Sequence, residues 1–154
     1  MHLWIVYGHI LGALAFMLAH GVSAAVVVRL RSERDPDTVR LLLGLSKMTL
    51  PAAYLSLLLL IVAGAWAGID IGAFDRGQMW LWTAVGVLVV IFIAMFALVS
   101  PTFYRTRDLL GDGTTPVDQP ALDLLLSRSR PMVGVIISLI GILVILWLMV
   151  LKPF

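Results

Sequence analysis

A chain of 154 residues that is 61% hydrophobic and 13% charged, with a mean hydropathy of +1.04, carries about half the charge of an ordinary soluble domain. That much apolar surface cannot be hidden inside so small a body, so lipid must serve as part of its solvent. A net charge of only +2 excludes a nucleic-acid partner, and the absence of cysteine excludes disulfides, thiolate metal sites, Cys-ligated iron–sulfur clusters and covalent c-type haem.

Four apolar runs, at about 3–28, 49–68, 79–99 and 132–151, are each long enough to cross ~30 Å of hydrocarbon at about 1.5 Å per residue. They lack the strict alternation of a transmembrane β-barrel, the only other spanning solution. The fold class is therefore all-α, a polytopic four-transmembrane-helix bundle. It forms a single transmembrane domain over 1–154, with helices at about 3–30, 36–68, 78–100 and 121–152. The first run has no basic segment ahead of it and exceeds the length of a signal-peptide core, so it reads as a span.

Charge sets the orientation. Arg29, Arg31, Arg34, Arg40 and Lys47 lie in or beside the first connection, and Arg105, Arg107, Arg128 and Arg130 in the third. The second holds only Arg76, with Asp70 and Asp75. An excess of lysine and arginine marks the cytoplasmic side, which places both termini outside. The segment Asp35-Pro36-Asp37-Thr38 has the cap, proline and acid of a helix start, so the second helix begins before it reaches lipid. Pro51 and Pro131 are expected to kink or start their helices. Gly111-Asp112-Gly113-Thr114-Thr115-Pro116 reads as a turn, and residues 118–127 as an amphipathic surface helix.

Trp4, Tyr7, Trp66, Trp80 and Trp82 are placed for an outer aromatic belt. Met17, Met48 and Met95 read as core filler. Gly64 with Gly68, and Gly134 with Ser138 and Gly141, read as small-residue packing seams.

No carboxylate falls at lipid depth, which leaves histidine to carry chemistry there. His9 and His20 are separated by about 1100° of helical rotation, roughly 20° past three turns, and by roughly 16 Å of rise. They share one face of the first helix at different depths, with Gly12, Ala13 and Phe16 between them and Gly8 and Gly21 beside them. A trough of small residues and an aromatic wall beside an imidazole suits a b-type haem, held through an axial ligand and packing. Their separation forbids both from ligating one iron. A bland reading competes: Gly8 and Gly12 are a helix-packing motif, and each histidine hydrogen-bonds a neighbouring helix. A copper site would use His2, His9 and Met1 near the outer surface. Lys47 reads first as a snorkelling lysine.

His9, the segment Lys47-Met48-Thr49-Leu50-Pro51 and the closing Lys152-Pro153-Phe154 together resemble the HemJ-type membrane proteins, four-helix proteins linked to protoporphyrinogen oxidation. The broader set includes CopD-like copper-resistance proteins and predicted integral membrane proteins of similar length. The resemblance implies a bacterial inner-membrane protein with His9 as haem b ligand and Lys47 as a functional lysine. His20, Gly12 and Phe16 complete the candidate cofactor set, with His9 and His20 as the metal ligands. The alternative functions are a non-enzymatic accessory subunit, assembling with itself or within a larger membrane complex, and a copper-handling protein.

Overall fold

The computed structural model describes residues 2–74, 78–111, 113 and 116–153. Asp75, Arg76, Asp112, Thr114 and Thr115, on which part of the sequence argument falls, lie outside the described residues. The elements are α1 (His2–Leu30), α2 (Pro36–Asp70), α3 (Met79–Ala94), a π-helical turn (Met95–Val99), α4 (Ser100–Leu110), α5 (Gln119–Leu126) and α6 (Arg130–Leu151). Four candidate spans result, because α3, the π turn and α4 run as one rod of 32 residues.

Helix ends follow the local chemistry. The Asp35 carboxylate accepts from the Thr38 backbone N–H at 2.9 Å and from the Thr38 hydroxyl at 2.6 Å, with Pro36 in the first turn of α2. Asp118 caps α5 by accepting from the Ala121 N–H at 3.1 Å. Both satisfy donors that a helix start leaves free. Helix α2 continues through Pro51, which lies inside it.

Two boundaries differ from expectation. The third span does not end near residue 100 but continues to Leu110. Pro101 cannot donate to the carbonyl four residues earlier. The π turn absorbs that defect: the Ser100 backbone N–H reaches back to the Met95 carbonyl, and the Ser100 hydroxyl donates to the same oxygen at 3.3 Å. The fourth span does not run unbroken over 121–152. Residues 127–129 separate α5 from α6, and Pro131 sits in the first turn of α6, where its missing N–H costs nothing.

The helices pair as α1 with α2 and as α3 with α6, and α1 also meets α6. Chain direction alternates, so the arginine-rich connections share one end of the bundle, and residues 2 and 153 share the other. At the basic end, Val26, Leu30, Val39, Leu43, Leu110, Leu122 and Leu126 form one buried cluster. Leu122 and Leu126 anchor α5 there, as its amphipathic pattern requires. Just deeper, Ala24 and Val27 of α1 meet Val99 and Val135. At the opposite end the buried cluster draws on Ala73, Trp80, Leu81, Ala84 and Leu148 and includes nothing from α1.

Small residues set the close approaches. A Cβ on Gly12 would lie 2.8 Å from the Leu60 backbone nitrogen, so α1 and α2 touch backbone to backbone there. On the other pair, Cβ atoms on Gly134 and Gly141 would meet Val99 and Ile91 at 2.8 and 2.7 Å. Side chains such as Leu18, Leu55, Val90 and Leu143 stand exposed around the rim, as lipid-facing residues do.

Three side chains depart from their expected places. Trp80 is buried, with its indole N–H donating to Gln78 Oε1 at 2.8 Å and Lys152 Nζ 5.4 Å from its ring centroid. Trp4, Tyr7, Trp66 and Trp82 are exposed. Met17 and Met48 are exposed rather than core, because they project from the rims of the α1/α2 pair; Met95 packs against the Ala24 cluster.

Candidate functional site

The two histidines of α1 face different neighbours. His9 Nδ1 lies 3.0 Å from the carbonyl oxygen of Leu60 in α2. A carbonyl only accepts, so Nδ1 carries a proton, and in the neutral ring Nε2 has the lone pair. No described residue hydrogen-bonds Nε2. The ring rests on Gly64, where a Cβ would fall 2.7 Å from Cε1 and 2.8 Å from Nδ1. The absence of a side chain at Gly64 is what lets the imidazole reach the α2 backbone.

His20, eleven residues on, turns to α6. Its Nε2 lies 2.9 Å from Ser138 Oγ. The Ser138 hydroxyl donates to the Val135 carbonyl at 2.8 Å. That single hydroxyl proton being used, His20 Nε2 must be the donor to Ser138. The imidazole is buried and stacks on Phe16, with centroids 5.6 Å apart and planes at 19°. His20 is thus a satisfied polar tie between spans, and its Nε2 is engaged.

The remaining candidates do not gather into one site. Gly12 is covered by the α2 backbone, and Phe16 lies against His20. At Gly12, the middle of the trough expected between the two histidines, α1 lies against α2 backbone to backbone. Lys47 is exposed; the adjacent Ser46 is buried, with its hydroxyl 3.5 Å from that of Ser23 in α1. That contact puts Lys47 near the basic end and at the depth of His20 rather than His9. No group of three or more His, Cys, Asp or Glu able to hold a metal occurs among the described residues. The copper arrangement rests on Met1 and the His2 side chain, which lie outside them.

Sequence reasoning missed two partners. Ser138 was visible as a polar residue within a glycine seam, a signal that it serves something across the interface. The Leu60 carbonyl left no signal, since every residue has one.

Four apolar spans, paired through glycine seams and tied by two intramembrane imidazoles, define an integral membrane protein of the four-helix class. The chain belongs to the DUF2269 family of predicted integral membrane proteins, whose model matches residues 3–153. Neither a curated protein nor a solved structure matches it.

Proposed function

We propose that this protein binds b-type haem, or a related porphyrin, through His9 alone, and serves a redox or haem-related role in the bacterial inner membrane. The observation that carries the reading is the His9 Nδ1–H bond to the Leu60 carbonyl. A ligating histidine is typically held this way: the other ring nitrogen donates to a carbonyl, which fixes tautomer and orientation and raises ligand basicity. His9 Nε2 would then be the atom that holds the group. Because α1 and α2 touch at Gly12, the group would be held at His9 rather than between the two histidines. Bound haem supplies one-electron exchange, and the chain's part is to orient it and shield one face from water. Positive-inside bias puts His9 in the outer half of the membrane, with both termini outside. The resemblance to HemJ- and CopD-like proteins agrees with His9 as ligand. It also implies a role for Lys47, which stands exposed at the depth of His20.

The second reading is a non-enzymatic accessory subunit, and the His20–Ser138 tie favours it, because an imidazole there joins two spans. An absorption spectrum of protein purified from haem-replete cells decides between them. Haem binding predicts a Soret band and sharpened α/β bands on reduction, lost in His9→Ala and kept in His20→Ala. Colourless wild-type protein that takes up no added haem would leave the accessory subunit.

A further inference from the structure

The basic end of the bundle does not spend its arginines uniformly. Arg29 pairs with Glu33 at 3.1 Å, Arg34 with Asp123 at 3.3 Å and Arg40 with Asp37 at 2.6 Å. Arg40 also donates to the Leu110 carbonyl at 2.8 Å, and Arg107 to the Leu43 carbonyl at 3.0 Å. Arg34, Arg40 and Arg107 thereby stitch separate segments together, and Arg29 pairs locally. Among the described residues, the side chains of Arg31 and Arg128 make no ion pair or hydrogen bond. Both line one crevice between the end of α1, the side of α4 and the turn joining α5 to α6.

The other walls of that crevice are apolar. Val27, Leu30, Phe103, Leu126 and Pro131 form them except where the Thr102 side chain intervenes, and no carboxylate lines it. Val27 and Phe103 belong to spanning rods, whereas Arg31 and Arg128 lie just beyond helix ends, in residues 31–32 and 127–129. The crevice is thus cationic at headgroup depth and hydrocarbon-like below. Pro131 brings the N-terminal turn of α6, whose free N–H groups also favour an anion, to its edge. Lys47, Arg105 and Arg130 are also unpaired among the described residues, but they do not line it.

We propose that this crevice binds one anionic phospholipid, its phosphodiester between the Arg31 and Arg128 guanidiniums and an acyl chain against Val27 and Phe103. Guanidinium suits a phosphate oxygen pair geometrically, and basic pockets between spans are where acidic headgroups lodge. The apolar floor selects a lipid over a soluble phosphate, because a free anion gains nothing from Phe103 or Leu126. The assignment is independent of any cofactor at His9.

The test uses the full chain in nanodiscs, where both membrane faces are accessible and orientation does not enter. Spin-labelled phosphatidylglycerol and phosphatidylcholine, each added to phosphatidylcholine discs, report the fraction of lipid immobilised by the protein. Wild type should prefer the phosphatidylglycerol label. The preference should fall roughly fivefold for each of Arg31→Gln and Arg128→Gln, the equivalent of ~1 kcal/mol per basic side chain near an anionic surface. Arg105→Gln, outside the crevice, should keep it. Both crevice arginines are exposed, so their removal opens no core, and unchanged helicity by circular dichroism verifies that. Absence of preference in wild type overturns the proposal. So does an equal loss in Arg105→Gln, which would show only diffuse surface charge. Displacement of the labelled lipid by millimolar inorganic phosphate would assign the crevice to a free anion and overturn it equally.

Discussion

His20 donates from Nε2 to Ser138 Oγ at 2.9 Å, across the contact between α1 and α6. Helix α1 also packs along α2, and α6 along α3, so this bond fastens one helix pair to the other. It lies just inside the Ala24–Val27–Val99–Val135 cluster, where the two pairs converge. The chain of donors continues to the Val135 carbonyl, which leaves the serine hydroxyl with nothing unmet.

Removing either partner should loosen the pairs without dissolving the helices. Ser138→Ala strands a buried imidazole donor, which costs about 1–3 kcal/mol. The coupling between the two side chains should be smaller, about 0.6–1.7 kcal/mol, as hydrogen bonds within membranes generally are. A double-mutant cycle of His20→Ala and Ser138→Ala, read by unfolding in mixed micelles, measures it. Additive losses would show that the bond contributes nothing in the folded protein.

The contact of Gly12 with the Leu60 backbone admits no side chain. Gly12→Ala should destabilise the protein by about 1–3 kcal/mol, because the nearest obstacle is main chain and the helices must part. Gly21, where a Cβ would meet nothing within 4 Å, is the matched control. Gly21→Ala should be neutral or stabilising by up to about 1 kcal/mol through helix propensity. Equal effects at the two sites would mean that the α1/α2 seam is not closed as described.

Asp35 provides a pH prediction. The Thr38 hydroxyl, then the Thr38 backbone N–H, hold its carboxyl below its ordinary value of 3.8. A carboxyl depressed on folding binds its proton more weakly in the native state, so its contribution is complete above the ordinary value. It is lost as pH falls through the lower native one. The start of α2 should therefore stay capped at pH 4 to 5 and fray below that. The Asp35 carboxyl resonance should titrate below 3.8, and Thr38→Val should move it upward. A midpoint at or above the ordinary value in the native protein contradicts the cap.

The spans and seams were legible because both are written in side-chain chemistry. Apolar run length fixes a crossing, and a glycine at Gly12, Gly64, Gly134 or Gly141 has few other reasons to sit in a spanning helix. The amphipathic α5 and the Asp35 cap were legible for the same reason. What could not be read was lateral order. His9 and His20 share a face of α1 by angle, but that face borders α2 at one depth and α6 at another, and no single-helix pattern encodes its neighbours. Trp80, Met17 and Met48 misled for a related reason: in lipid an apolar side chain is as comfortable outside as inside, so hydrophobicity stops reporting burial. The extension of the third span through Pro101 depends on a π turn, a shift of hydrogen-bond register with no residue signature of its own.

The arginines at one end predict an orientation that labelling can test. The sequence has no cysteine, so single introduced thiols report cleanly. Ser32→Cys and Pro153→Cys, both at exposed positions, lie at opposite ends of the bundle. In intact cells an impermeant maleimide should label Pro153→Cys, and Ser32→Cys only after lysis. Labelling of Ser32→Cys in intact cells would invert the proposed topology; labelling of both would refute the odd number of crossings between them.

Gly64 gives the sharpest test of how His9 is held. An alanine methyl there would lie 2.7 Å from His9 Cε1, closer than unbonded atoms tolerate, so the ring must swing away and lose its bond to the Leu60 carbonyl. Gly64→Ala keeps the imidazole but removes the partner that fixes its tautomer. Loss of such a partner typically weakens a metal ligand about 10–100-fold. Haem occupancy should drop on that scale, and any haem retained should show a shifted α band and a changed midpoint potential. Gly8→Ala is the control on the same helix pair: its Cβ would meet Ala63 Cβ at 3.9 Å, an ordinary contact, and the spectrum should not change. Unfolding curves for both variants separate helix packing from ligand orientation, because a purely structural role for Gly64 alters stability but not the spectrum of the haem that remains. An unshifted spectrum at full occupancy in Gly64→Ala, beside a colourless His9→Ala, would show that His9 ligates without help from α2.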